Sequence, residues 1–207
     1  MRLHRSLDDI FSSRSHVRIL RAVLELPQGF AVSAREAARR AGVSHPRASS
    51  VLHSIAEQGL IKIHSVPRAD LFTVNPDHIM VPVLSQFFTR ERQIPQDLVI
   101  ILRKYLRRNL PFVSAAYLFG SAIRGNTTAA SDIDLALLCP PSKVLRAEQA
   151  TAALAELIQD RFGNRLSVVI GGSSPAKRGL PGPSGSRLWG RIIREGVSIL
   201  SRVEQSR

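Results

Sequence analysis

Apolar residues follow a helical rhythm through most of the first half of this chain, then strand-like runs separated by helices in the second. Over residues 16–26, Val17, Ile19, Leu20, Val23 and Leu24 recur at helical spacing, and Pro27-Gln-Gly29 stops the run. Ser33-Ala-Arg-Glu36 has the form of a capping box, where the Ser oxygen and the Glu carboxylate each satisfy a free backbone donor. The helix it opens presents Ala34, Ala37, Ala38 and Ala41 and closes at Gly42. Ser44 caps a third helix with Pro46 in its first turn, and Ala48, Val51, Leu52 and Ile55 form its apolar stripe. Gly59 ends it. Residues 60–63 and 71–74 then read as a hairpin around residues 66–70, with Arg68 at the tip.

After Asn75-Pro76, residues 78–92 form an apolar-striped helix (Ile79, Val83, Leu84, Phe87, Phe88), and Arg90-Glu-Arg-Gln-Ile-Pro95 marks a boundary. A further helix over residues 96–110 turns Leu98, Ile101, Leu102 and Leu106 inward and Arg103, Lys104, Arg107 and Arg108 outward. That basic face reads as solvated, or as a track for a nucleic-acid backbone. Next come an apolar strand over residues 115–119, a second from Asp132 to Cys139, an Ala/Leu-rich helix over 143–161 and a strand over 166–170. A Gly/Pro/Ser-rich loop (173–186) follows, with Lys177 and Arg178 in it. A last helix (187–195) packs Trp189, Ile192 and Ile193 inward, and residues 196–200 form a plausible edge strand. The fold class is α+β. It divides into residues 1–77, a linker helix 78–95, and a small α/β domain 96–207 with a mixed sheet.

Composition changes this picture at one point, its charge. The formal net charge is +13, and splitting at Pro95 gives 13 basic against 8 acidic side chains before it and 16 against 8 after. Both halves are cationic, at +5 and +8, which favours polyanionic partners through counterion release. A lone cysteine, Cys139, excludes a disulfide framework within one chain. Neither a signal-peptide core nor a run of membrane-spanning length is present, so the expected location is cytoplasmic, with no membrane partner.

The candidate chemistry lies in Leu118-Phe-Gly-Ser-Ala-Ile-Arg-Gly and in Ser131-Asp-Ile-Asp-Leu135. Asp132 and Asp134 are two residues apart at a strand start, so both project from one face. Paired carboxylate oxygens suit Mg²⁺, with Mn²⁺ as an alternative, completed by the phosphates of a nucleoside triphosphate. Gly120 permits a tight turn that brings backbone N–H groups to an anion, and Ser121 adds a hydroxyl.

Gly120-Ser121, Arg124, Gly125, Ser131, Asp132, Ile133, Asp134 and Leu135 resemble the nucleotidyltransferases of the DNA polymerase β superfamily, above all the minimal bacterial ones. The resemblance implies a metal and catalytic pair in Asp132 and Asp134, and nucleotide binding by Gly120, Ser121 and Arg124. It also implies a third carboxylate on the later strand, where this chain has Ser167. Nucleotide binding is therefore better supported than turnover. Glu148, Glu156 and Asp160 are nearby acids, but their helix pattern makes them surface residues.

Gly-Val-Ser at 42–44 and Gln58-Gly-Leu-Ile61 resemble the winged helix-turn-helix regulators of the MarR and ArsR type, over about residues 11–76. The third helix would then read duplex DNA through Ser44, His45, Arg47, Ser49 and Ser50, with His53 on the same face and Arg68 on the wing. Arg39 and Arg40 add charge nearby. The expectation is a homodimeric DNA-binding regulator whose second half binds Mg-NTP and transfers a nucleotidyl group to a hydroxyl on RNA, protein or a small molecule. Two alternatives stand beside it: a catalytically weak nucleotide sensor or dimerisation module that controls DNA binding, and one half of a toxin–antitoxin pair.

Overall fold

A computed structural model describes residues 6–67, 69–120, 131–172 and 187–201. Arg68, Ser121, Arg124 and the loop carrying Lys177 and Arg178 lie outside these described residues. The chain divides into two compact units, Met1–Ile94 and Pro95–Arg207.

In the first unit, α1 (Ser6–Ile10) is too short to leave a periodic signal, yet Ile10 is fully buried. Helix α2 (Arg14–Leu24) starts two residues earlier than the apolar rhythm indicates, because the Ser13 hydroxyl accepts from the His16 N–H. Strand β1 (Val32–Ser33) leads into α3 (Ala34–Ala41), which closes at Gly42 with φ 62°. The capping box is only half made. Ser33 Oγ accepts from the Glu36 N–H, but the Glu36 carboxylate turns to Arg39 and Arg40 instead of back to Ser33.

Helix α4 (His45–Glu57) follows with Pro46 in its first turn, and Ser44 stands at its N-cap without a side-chain hydrogen bond. The expected Ser44 cap is thus positional only. Strands β2 (Ile61–Val66) and β3 (Ala69–Val74) form the hairpin, paired from Ile61↔Val74 out to Val66↔Ala69. Strand β1 adds antiparallel to β3, giving a three-stranded sheet in the order β1-β3-β2. Two residues are too few to show alternation, so β1 was not legible. Ile19, Leu20, Ala37, Ala48, Leu52, Ile55 and Phe72 meet in one core. The small alanines of α3 let its neighbours close over it.

Residues 78–95 do not break the chain. One helix, α5, runs Met80–Asn109 with Pro95 inside it. Proline removes one helical hydrogen bond and crowds the carbonyl four residues back, but leaves the helical φ itself unchanged. Before Pro95, Val81, Leu84 and Phe88 are buried in the first unit's core, and Arg21 forms a two-pronged ion pair with Glu91 at 2.7 and 2.9 Å. After it, Leu98, Leu102, Leu106 and Leu110 belong to the core of the second unit.

That second unit is built on a four-stranded mixed sheet in the order β6-β5-β4-β7. Strands β4 (Ala115–Phe119) and β5 (Ile133–Cys139) pair antiparallel. Strand β6 (Leu166–Gly172) joins β5 in parallel after α6 (Val144–Phe162), the crossover helix. Strand β7 (Val197–Ser201) follows α7 (Arg187–Glu195) and closes the other edge on β4. One face of the sheet, with Leu118, Ile133, Leu135, Leu137 and Cys139, packs with residues of α5 and α6. Burial there pushes the Cys139 thiol up from its ordinary value, in keeping with a small core residue. On the opposite face Ala115, Ala136 and Leu138 pack against Trp189 and Ile192 of α7. Among the described residues no helix is long and apolar enough to cross a membrane.

The fit beneath α7 depends on a missing side chain. A Cβ at Gly171 would lie 2.6 Å from Trp189 Cζ2 and 3.0 Å from Leu138 Cδ2. Gly171→Ala should therefore destabilise the second unit by about 1–3 kcal/mol, as overpacking does. Urea unfolding followed by the fluorescence of Trp189, the chain's one tryptophan, will read it. An unchanged midpoint would mean that the indole can move aside at no cost.

Candidate functional site

Strand register places the carboxylates. Phe119 pairs with Asp134 across β4–β5, and Asp134 pairs with Ser167 across β5–β6. Directly paired residues project from one face, so Phe119, Asp134 and Ser167 form a row across three strands. Two similar rows lie behind it: Tyr117, Ala136 and Val169, then Ala115, Leu138 and Gly171. Helix α7 packs Trp189 and Ile192 against the rows behind, which leaves the first row as the end of that face. Burial raises the Tyr117 hydroxyl pKa above its ordinary value. Asp132, two residues before Asp134 and just ahead of β5, is exposed, whereas Asp134 is half-buried.

Hydrogen bonds to the backbone of its two neighbours flank Asp132. The Ser131 carbonyl accepts from Asn164 Nδ2 at 3.0 Å, and the Ile133 N–H donates to the Arg165 carbonyl at 2.9 Å. Asn164 follows Gly163, the left-handed C-cap of α6 (φ 73°). It is a positioning residue that the sequence reading missed; only its place beside a helix-ending glycine hinted at a role.

Gly120 completes the arrangement. It leaves β4 at φ 76°, a region costly for other residues, and a Cβ there would overlap the Asp134 carboxylate. The turn and the acid are fitted to each other. Ser121 and Arg124, the other expected nucleotide contacts, are outside the described residues.

Ser167 stands beside Asp134 where the resemblance calls for a carboxylate. Glu148, Glu156 and Asp160 are exposed on α6, which packs on the other side of the sheet from Asp134. Among the described residues no group of three or more His, Cys, Asp or Glu is arranged to hold a metal ion. The pair that remains offers hard oxygen donors beside a glycine turn, a donor set that fits Mg²⁺ carried in by a triphosphate.

The first unit has a different candidate face, that of α4. His45, Pro46, Ser49, Ser50, His53, Ser54 and Glu57 line an open recess of about 790 Å³. Ser44, His45, Arg47 and Ser50 are exposed, and Ser49 is half-buried. The structure brings these together on one helix, but ties several expected cations down. Arg47 donates to Ser13 Oγ at 3.0 Å, and Arg39 and Arg40 both sit on Glu36. His53 meets the Ser49 carbonyl through Nδ1 (2.8 Å) and Asp70 on β3 through Nε2 (3.3 Å), with its ring edge-on to Phe72. It links α4 to the hairpin. His16, beneath Arg47, has its pKa lowered by burial and then by the Arg47 charge.

Comparison with known proteins agrees with both halves. Residues 13–69 match the MarR family, and residues 101–178 match the family described as polymerase beta, nucleotidyltransferase. No curated protein matches the chain significantly. Two solved structures, a toxin–antitoxin with AMP-PNP and a mutant of the toxin–antitoxin MntA-HpeT, share 24% and 23% identity with it. Each match covers 50% of this chain and 73% of the other at a TM-score of 0.37. The chain thus joins a MarR-like winged-helix region to a region that matches the polymerase β nucleotidyltransferases.

Proposed function

We propose that this protein is a DNA-binding regulator whose second unit binds a nucleoside triphosphate with Mg²⁺ and transfers its nucleotidyl group slowly, if at all. The observation behind the proposal is the row Phe119–Asp134–Ser167, closed at one end by a glycine turn with no room for a side chain. Asp132 and Asp134 would hold the metal, whose bound charge offsets that of the triphosphate. Backbone N–H groups at the Gly120 turn would grip phosphate oxygens, with Ser121 and Arg124 following in sequence. In transfer, a hydroxyl attacks the α-phosphorus, the bond to the β-phosphate oxygen breaks, and pyrophosphate leaves. The protein's part is positioning and electrostatic complementarity.

A sensor reading has one specific observation in its favour, the hydroxyl of Ser167 in place of a third acid beside Asp134. Two carboxylates suffice to bind the nucleotide, while a third usually helps to activate the attacking hydroxyl. Binding would then report nucleotide level to the DNA-binding half.

DNA binding as a homodimer has support of its own. On α5, Val83, Phe87 and Ile94 are exposed at 56%, 55% and 46% and fall on one stripe, which Ile79, one residue ahead of the helix and 76% exposed, extends. Laid antiparallel on itself, this stripe sets Ile79 against the partner's Ile94 and brings the two copies of Phe87 together, as a two-fold interface requires.

Duplex DNA binding should weaken steeply with salt, and Arg47→Ala should cost about 1–3 kcal/mol if its guanidinium turns from Ser13 to a base edge. Fluorescence anisotropy over a salt series tests both. Salt-insensitive binding would remove the regulator reading. At the second unit, Asp132→Asn with Asp134→Asn should abolish Mg²⁺-dependent NTP binding while leaving the chain folded. A calorimetric titration showing undiminished affinity would rule out the site as drawn. Finally, Ser167→Asp should quicken transfer at equal NTP occupancy, each 1.36 kcal/mol of added transition-state stabilisation giving about tenfold in rate. Fast transfer by the natural chain, lost on this substitution, would show that the third acid lies elsewhere.

A further inference from the structure

The second half of α5 carries four cations in two successive turns: Arg103 and Lys104, then Arg107 and Arg108. With Ile100 they line a shallow recess of about 510 Å³. Their surroundings differ from those of the first unit's cations. There Arg21 has Glu91, Arg39 and Arg40 have Glu36, and Arg92 has Glu25. Among the described residues Lys104, Arg107 and Arg108 have no carboxylate partner, and all three are exposed.

Such a cluster works against its own helix. Lys104–Arg107 is an i,i+3 pair, and Arg103–Arg107 and Lys104–Arg108 are i,i+4 pairs of like charge. The helix C-terminus favours Arg107 and Arg108 in its last turn, but that effect fades before it reaches Arg103 and Lys104. Arg103 is also fixed in place, its Nε donating to the Ile199 carbonyl on β7 at 2.8 Å. One guanidinium is thus pre-set at the rim while three exposed cations stand beside it. Ile100, 59% exposed in their midst, offers apolar surface between charges.

We infer that this ridge binds the phosphate backbone of a single nucleic-acid strand. Charge complementarity supplies the attraction, since a polyanion lets the cluster release counterions that it otherwise holds. The recess has room for a segment of one strand. Four cations and one apolar side chain line it, a set suited to phosphate oxygens, which carry no sequence information. Binding should therefore be tolerant of sequence and indifferent to RNA or DNA, a second contact separate from both the α4 face and the carboxylate row.

The test uses the full chain and labelled single-stranded RNA and DNA of mixed sequence. One variant is Lys104→Gln/Arg107→Gln/Arg108→Gln, which keeps good helix formers on exposed positions. A control of equal charge, Lys143→Gln/Arg146→Gln/Arg161→Gln, removes three exposed cations from around α6 instead. Three lost contacts at a slope of roughly 0.7 each should flatten log K against log salt by about 2, a loss on the order of a hundredfold at 0.1 M salt. Circular dichroism melting should show the ridge variant at least as stable as the natural chain. Should it fail to fold, Lys104→Gln alone must still flatten the slope by about 0.7. The inference holds if both nucleic acids weaken together in the ridge variant and not in the control. It is overturned if the slope is unchanged, if the control loses as much, or if poly-glutamate displaces the strand as well as a competing nucleic acid does.

Discussion

Everything at the carboxylate site depends on one contact, Gly120 lying against the carboxylate of Asp134. The two are brought together by the pairing of Phe119 with Asp134, the last pair of the β4–β5 ladder. Slipping that ladder by one residue would send every side chain of β5 to the other face. Leu135, Leu137 and Cys139 would leave the core beneath α5 and α6, and Asp134 would enter it. Apolar burial thus fixes the register, and the register fixes where the acid points. The chemistry inherits its geometry from the core.

The same logic explains what could be read from sequence. Two-residue and 3.6-residue periods are visible wherever one face is buried, so α2, α4, β4, β5 and β6 were legible from their apolar positions alone. Asp132 and Asp134 were legible as a pair for that reason. Strand β1 was not, since its two residues gain their place only by pairing with Leu71 and Phe72. Continuity of α5 through Pro95 was also hidden, because proline marks a helix end only as a tendency. Asn164 donates to the Ser131 carbonyl, next to Asp132, across 33 positions, and no local pattern announces such a bond.

Charges were the least legible feature. Summed along the sequence, the first half's Arg residues read as a DNA-binding surface. Folded, Arg39, Arg40 and Arg47 each have an intramolecular partner within 3.0 Å. Exposed ion pairs of this kind contribute little to stability, about 0–1 kcal/mol. They do hold a side chain in one place, and a phosphate must compete for it. Arg47 would have to exchange the Ser13 hydroxyl for a stronger, charged acceptor, an exchange that DNA can drive and a neutral surface cannot.

His53 adds a constraint of a different kind. Its two ring nitrogens face two acceptors, the Ser49 carbonyl and the Asp70 carboxylate. Asp70 is further held by the Ser65 hydroxyl at 2.8 Å, so the carboxylate is fixed to the hairpin rather than free to follow the ring. The link between α4 and the hairpin thus runs from the Ser49 carbonyl through His53 and Asp70 to Ser65. A winged helix reads DNA through the relative placement of its helix and wing. In this chain the contact between α4 and the hairpin runs through a residue on the proposed reading face, so His53 shapes that surface whether or not it touches a duplex.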